Sequence, residues 1–466
     1  MMNTELYYNS SDTICAISTP PGAGGVAVAR VSGEKAFDIV GKIWCGKDIG
    51  SFKSHTAHLG EIINPTDGSV LDQAVLTVFR SPRSFTGDDV AEISVHGSKW
   101  IQRQLLNALI GSGARLALPG EFTRRAFASG KMDLAEAEAI ADLIASSSAA
   151  AHRQAMTQMR GTFSKHIEET RAKLVELASL LELELDFSEE DVEFASRRKL
   201  HDLAAETART LRRLSDSFAT GSAVKEGIPV AIIGKTNVGK SSLLNTLLGD
   251  DRAIVSEIHG TTRDIVEDTA EIGQYLVRFK DTAGIRQSDD PVENIGIERS
   301  RKAADEAMLV LLLVDSAEPD VDGLAIEKLD PARTIVVFNK TDLCEIPRQF
   351  RNKIDSMLPG VPSVAISALN ENGIEELKVL MTDVLDKKLK NSSESDILVT
   401  NARHAQAFAA AATLLKAVAD GIDNMVPADL IAQDLREAIH NLASVTGEIT
   451  TPEILQNIFQ SFCIGK

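Results

Sequence analysis

The sequence is short of cysteine, of long apolar runs and of positive charge. Cysteine occurs four times in 466 residues, which excludes a disulfide scaffold. Cys15, Cys45, Cys344 and Cys463 show no paired metal-ligand spacing, and a reducing cytoplasm fits. The longest apolar run, Ala307 to Val314, is eight residues. A spanning helix needs about twenty, so no membrane segment is expected. The first residues, MMNTELYYNSSD, have neither a basic region nor an apolar stretch, so no secretory signal is expected. Lys and Arg total 49 against 67 Asp and Glu, a formal charge of −18. Such a chain does not coat duplex nucleic acid by phosphate neutralisation alone; nucleic-acid binding would need a local patch or a partner. What is present is ordinary for a soluble globular protein, with 44% hydrophobic and 25% charged residues. Extensive disorder is thereby excluded, and the length predicts roughly three domains.

Texture divides the chain. Up to about residue 125, β-branched runs such as Gly25–Val31 and Leu71–Phe79 alternate with Gly/Pro turns. From Met132 the apolar residues Leu134, Ile140, Leu143 and Ile144 fall at helical spacing. Leu174–Leu185 and Arg197 to about Phe218 continue the helical block. From Gly227, apolar runs at Ile228–Ile233, Leu276–Phe279, Leu309–Val314, Thr334–Phe338 and Val364–Ile366 alternate with helical ones. That alternation predicts a parallel sheet with crossover helices. KNSSESD at Lys390–Asp396 reads as a linker, and the tail from Thr400 is helical again. Two helical pieces too small to bury a core alone are expected to pack on each other, with the α/β part inserted between them; beads on a string is the alternative. The expected boundaries are 1–128, 129–226, 227–388 and 389–466.

Gly234-Lys-Thr-Asn-Val-Gly239-Lys240-Ser241 matches G-x-x-x-x-G-K-[ST] between a strand and a helical run. Glycines there let backbone N–H groups point at phosphate oxygens, and the helix N-terminus adds its dipole. Lys240 is expected on the β- and γ-phosphates and Ser241 on Mg²⁺. A chance Gly-rich turn is the alternative, and the flanking elements argue against it. Asp281-Thr282-Ala283-Gly284 follows a strand; its carboxylate suits the Mg²⁺ shell and Gly284 N–H the γ-phosphate. Thr261-Thr262-Arg263-Asp264 lies between, where a threonine can close over Mg²⁺. Asn339-Lys340-Thr341-Asp342 ends another strand. Asp342 can accept from guanine N1–H and its 2-amino group; adenine would leave that carboxylate unpaired, a mismatch worth about ten-thousand-fold. Ser367-Ala368 fits a backbone contact to the guanine oxygen. The ordered set predicts GTP. Ile285 stands where Ras-type enzymes place a water-orienting Gln. Glu293 is the acidic candidate, though on local sequence alone it reads as a solvated helix-start residue.

Four blocks carry a family resemblance: Thr19–Gly33 with Ser84–Glu92; Pro119–Leu134; the G-domain segments Asn237–Ser242, Gly260–Asp264 and Val292–Ser300; and Phe462–Lys466. In this order they resemble the TrmE/MnmE family of tRNA-modification GTPases over essentially the whole chain. The resemblance implies an N-terminal α+β folate-binding-like and dimerisation domain, a helical domain from two chain segments and an inserted Ras-like P-loop G domain. It implies action with a flavoprotein, MnmG (GidA), in a heterotetramer built on a homodimer. The pair would add an aminomethyl or carboxymethylaminomethyl group at C5 of the wobble uridine of certain tRNAs, in the cytoplasm.

The implied one-carbon source is a tetrahydrofolate held by Arg30, Glu92, Lys131 and Lys466; without the family each reads as a surface charge. Gly22-Ala-Gly24-Gly25 is not a dinucleotide fingerprint, since Ala27 holds the third glycine's place. The family's GTPase is K⁺-dependent. Asn237 matches its K⁺-binding asparagine, with Ser256, Ile258 and Thr261 completing the shell. Mg²⁺ falls to Ser241 and Thr262. The matched nucleotide contacts are Asn237, Val238, Gly239, Lys240, Ser241, Ser242, Ser256, Glu257, Ile258, His259, Gly260, Thr261, Thr262, Asp281–Gly284, Asn339, Lys340, Asp342, Ser367 and Ala368. Glu293 matches the catalytic glutamate, which orients the attacking water through a second water. A K⁺ ion would neutralise transition-state charge where other enzymes use an arginine. Cys463 resembles a prenylation position only superficially, because Gly465 is not aliphatic; it sits by the folate pocket in the family. A ribosome-assembly GTPase and a GTP-gated scaffold are the competing readings; the first would carry a basic RNA-binding module, which the composition does not show.

Overall fold

The computed structural model describes residues 12–186, 197–249, 268–279, 301–392, 398–460, 462 and 464–465. They form two compact units: Met1–Ala141 with Gln158–Arg171 and Leu442–Lys466, and Asp142–Thr157 with Ala172–Asn441.

In the first unit, strands β1 (Ile14–Ile17), β2 (Val26–Ser32), β3 (Trp44–Cys45), β4 (Thr56–Ile63), β5 (Val70–Phe79), β6 (Val90–His96) and β7 (Arg115–Leu116) make one sheet. Its order is β3-β4-β5-β6-β2-β1-β7, antiparallel except for the β1–β7 pair. Successive side chains on a strand point to opposite faces. Ala27, Ala29 and Val31 of β2 therefore join one core with Ile39, Val40, Leu105 and Leu109 from the helices Ala36–Gly41 and Lys99–Gly111. Arg30 takes the other face, where Ile14 and Ala16 of β1 meet Phe122, with Phe85 packed against them. The expected strand Gly25–Val31 begins one residue later, because Gly25 still belongs to the loop. The C-terminal helix Pro452–Gln460 packs on the helix Glu121–Ala128. Gly120 permits this: its φ is +64°, and a Cβ there would sit 2.6 Å from Phe459 O.

In the second unit the helix Arg197–Asp216 runs along the helix Ala402–Asp423, and Ser215 Oγ donates to Ala405 O at 3.0 Å. The chain between them builds the second sheet, so the helical part comes from two segments and the α/β part is an insertion. Strands β8 (Ile228–Ile233), β9 (Asp268–Ile272), β10 (Tyr275–Phe279), β11 (Leu309–Asp315), β12 (Thr334–Asn339) and β13 (Ser363–Ala365) run in the order β13-β12-β11-β8-β10-β9. All neighbours are parallel except β9 with β10. This is the Ras-like arrangement expected. Strands β8, β11 and β12 are buried at every position, because separate apolar clusters cover both faces of the sheet. That is why they read as unbroken apolar runs rather than alternating ones. At the turn before β10, Ala150 N–H donates to Gln274 O at 3.0 Å, while Tyr275 OH and Gln274 Nε2 both donate to Asp386 Oδ1 at 2.7 and 2.8 Å.

The irregular segment that leads into the helix Ala402–Asp423 makes a close approach. Val399 N–H donates to Ser217 Oγ at 3.1 Å, and a Cβ on Gly221 of the helix Phe218–Glu226 would run into Val399 O. An alanine at an open helical site gains up to about 1 kcal/mol over glycine. At Gly221 the backbone clash reverses that sign, so Gly221→Ala should cost about 1–3 kcal/mol. Thermal unfolding checks it, with a melting point lowered by several degrees as the expected result and an unchanged or higher one as the contrary result.

Candidate functional site

The phosphate-loop segment leaves the C-terminal end of β8 and enters the helix Lys240–Leu248, where open parallel sheets place their ligand crevice. Three residues turn the chain through positive φ: Gly234 at 155°, Asn237 at 60° and Gly239 at 96°. Asparagine tolerates that region better than most side chains. Gly239 is also required by proximity, since a Cβ there would collide with Asn339 Nδ2. Lys240 folds over the loop, its Nζ donating to Gly234 O at 2.8 Å and Lys235 O at 2.6 Å. Burial pushes its ammonium below the ordinary lysine value. Among the described residues no carboxylate pairs with it, so the loop holds a partly desolvated cation over neutral carbonyls. An anion is what such a group lacks.

Asn339, at the end of β12, ties three segments together. Its Nδ2 donates to Val238 O at 2.8 Å and its Oδ1 accepts from Ala368 N–H at 2.9 Å. Thr246 Oγ1 in turn donates to Ala368 O at 3.0 Å. Asn339, Ser367 and Ala368 are buried, whereas Asp342 is exposed. Lys340 has φ 63° and its Nζ reaches Asp315 Oδ2 at 2.6 Å. Burial alone would raise the Asp315 carboxyl; hydrogen bonds from Lys340 and the amides of Ala317 and Glu318, with the Lys340 charge, hold it below the usual range. Asp315 and Thr246 were not singled out from the sequence. A carboxylate ending an apolar strand at the sheet's C-terminal edge is the signal for the first; Thr246 gives none in a run of helix formers.

In the first unit, β2 and β6 set Arg30 opposite Glu92. Arg30 Nε and Nη2 both reach Glu92 Oε1, at 2.9 and 2.8 Å. The guanidinium lies 5.3 Å from the Phe85 ring centre and 5.6 Å from that of Phe122, within cation–π reach. Lys131 Nζ donates to Pro82 O. Ser18 Oγ donates to Gly465 O at 3.1 Å, which brings the C-terminal tail to the end of β1. Ser256, Glu257, Ile258, His259, Gly260, Thr261, Thr262, Asp281, Thr282, Ala283, Gly284, Ile285, Glu293, Cys463 and Lys466 lie outside the described residues.

The chain matches the family model for the GTP-binding protein TrmE N-terminus over residues 13–131 and that for the MnmE helical domain over residues 134–463. The tRNA modification GTPase MnmE of Parabacteroides distasonis is 48% identical over 97% of this chain and 100% of its own. The chain belongs to the TrmE/MnmE family of tRNA modification GTPases. The MnmE of Bacteroides thetaiotaomicron is 46% identical over 98% of this chain, and that of Cytophaga hutchinsonii 46% over 100%, each along its full length. Among solved structures, the G domain of the T. maritima FeoB iron transporter overlaps 34% of this chain at 22% identity and a TM-score of 0.24, too low to argue from. The MnmE helical match begins in the helix Leu134–Ala145 and ends past the helix Pro452–Gln460, so it brackets the inserted sheet. No helix among the described residues is long and apolar enough to cross a membrane.

Proposed function

We propose that this MnmE-family chain is a K⁺-dependent GTPase. It acts with the flavoprotein MnmG (GidA) to add an aminomethyl or carboxymethylaminomethyl group at C5 of the wobble uridine of certain tRNAs, drawing a one-carbon unit from a tetrahydrofolate. The reading assigns residues 1–128 to folate binding and dimerisation, 129–226 and 389–466 to the helical domain and 227–388 to the G domain. It places a homodimer, joined by its partner into a heterotetramer, in the cytoplasm. The observation that supports its GTPase part is the Asn339 tie between the phosphate loop and Ala368, because one side chain joins the segment that would hold the triphosphate to the one that would hold the base.

The residues suit the groups they would hold. Lys240, a half-buried cation without a carboxylate among the described residues, suits the β- and γ-phosphates. Ser241 next to it would face Mg²⁺, joined by Thr262. Asn237, exposed at the crest of the loop, would offer its carbonyl oxygen to K⁺, with Ser256, Ile258 and Thr261 supplying the remaining oxygens. Bound there, the cations neutralise charge that develops as the terminal phosphoryl transfers. Glu293 would orient the attacking water, and Asp342 would read guanine. Arg30 and Lys131 are donors suited to the folate's carboxylates and Glu92 an acceptor for pterin N–H groups, with Phe85 and Phe122 as an apolar floor. The folate supplies the carbon, and Lys466 would close the pocket.

The cation test is direct. Replacing K⁺ by Na⁺ at constant ionic strength should slow GTP hydrolysis about a hundredfold or more, the scale of one lost transition-state contact, with GTP affinity little changed. Steady-state phosphate release measures it, and equal rates in both salts would remove the cation role.

A further inference from the structure

In this acidic chain, carboxylates are absent from Thr13 to Gly33 and again from Gly97 to Gly120. The fold brings these stretches together: β1 and β2 from the first, the helix Lys99–Gly111 and β7 from the second. Where they meet lies an open cavity of about 490 Å³, with Pro21, Gly22, Lys99, Gln102, Arg103 and Asn107 among its lining. Lys99 and Arg103, at i and i+4, share one face of the helix. Neither makes an ion pair among the described residues. Trp100 stands on the edge of that face, three residues before Arg103 and seven before Asn107. It is 52% exposed, while the other tryptophan, Trp44, is 8% exposed and in the core. The Gly-rich loop leaves room in front of its backbone: a Cβ on Gly22 or Gly25 would meet nothing within 4 Å. The face is separate from the Arg30–Glu92 pair. Ile17, which lines the cavity, shares its side of the sheet with Cys15 and the helix core, whereas Arg30 lies over Phe85 and Phe122.

We infer that this acid-free face binds an unpaired segment of the substrate tRNA, a base stacking on Trp100 while Lys99 and Arg103 take flanking phosphates. The inference rests on the tRNA-modifying reading above. An exposed indole next to a concave surface lined by Lys99 and Arg103 is the composition of a single-strand site. The lack of carboxylates supplies the local patch that a net charge of −18 otherwise denies.

The test titrates the full-length protein with an unmodified anticodon stem-loop RNA. Trp100 is the one solvent-facing tryptophan, so RNA binding should quench and shift its emission. Lys99→Ala with Arg103→Ala should weaken binding about tenfold or more and lower the salt slope by about 1.4, the value for two single-strand phosphates. Trp100→Ala, followed by anisotropy of labelled RNA, should weaken it about ten- to a hundredfold. GTP hydrolysis should not change in either variant, and an unchanged melting profile of the full-length protein reports that the substituted unit folds. Equal RNA affinity in wild type and variants overturns the inference. So does loss of self-association or of flavoprotein binding in sedimentation with RNA affinity intact, which would make the face a protein interface. A strain carrying only the double variant separates this inference from the reading beneath it. Intact wobble modification there rejects the RNA site alone, whereas the reading itself fails only if a strain without the chain keeps its modification.

Discussion

Asp342→Asn should lower GTP affinity about ten-thousand-fold and make xanthosine triphosphate the preferred nucleotide. The reason is one of donors and acceptors. A carboxylate at the end of the N-K-x-D segment accepts from both N1–H and the 2-amino group of guanine. An asparagine presents one acceptor and one donor, and its donor opposes the 2-amino group; xanthine carries a carbonyl there and accepts from it. The loop that holds residue 342 is fixed independently of it. Lys340 is tied to Asp315 at 2.6 Å, and Thr341 N–H donates to Ile366 O at 3.1 Å. Asp342 itself is exposed, so its replacement costs little stability and the effect reads as specificity. Competition of GTP and xanthosine triphosphate against a fluorescent guanine nucleotide measures it. An unchanged preference would mean that the base is read elsewhere.

The second large effect concerns Lys240. Lys240→Ala should reduce kcat/KM for GTP about a thousandfold, the scale for removing one charged stabiliser of a transferring phosphoryl group. A structural role predicts something else. Without nucleotide the ammonium is partly desolvated, its pKa pushed down by burial, and among the described residues it donates to the carbonyls of Gly234 and Lys235. Removing it relieves a desolvated charge, so the melting temperature without nucleotide should hold or rise. The stabilisation that GTP adds to the wild type should vanish. A variant that hydrolyses GTP normally would refute the assignment; one that melts several degrees lower without nucleotide would show that the lysine holds the loop up.

Much of the inserted sheet was legible because its central strands are buried on both faces. Ile228–Ile233, Leu309–Val314 and Thr334–Phe338 stand out as apolar runs, and the structure extends the last two by a residue each, to Asp315 and Asn339. Strand β9 was not legible. Its sequence DTAEI buries only Ala270 and Ile272, and as an antiparallel edge strand it needs no apolar second face. The expected strand Val364–Ile366 lies one residue earlier, at Ser363–Ala365. The G-x-x-x-x-G-K-S and N-K-x-D segments stand out in the sequence because their residue types are those that a guanine nucleotide's phosphates and base would ask for. The Asn339 tie to Val238 does not, since it joins residues 101 positions apart. The Arg30–Glu92 pair likewise depends on the β2–β6 register, which no local pattern announces.

The central claim is that this chain's GTP hydrolysis serves modification of the tRNA wobble uridine. Mass analysis of nucleosides from bulk tRNA, in a strain lacking the chain and in one carrying Lys240→Ala, tests it most directly. The account predicts that aminomethyl and carboxymethylaminomethyl uridines disappear from both strains and return with the wild-type chain. Undiminished amounts of these nucleosides in the strain lacking the chain would contradict it.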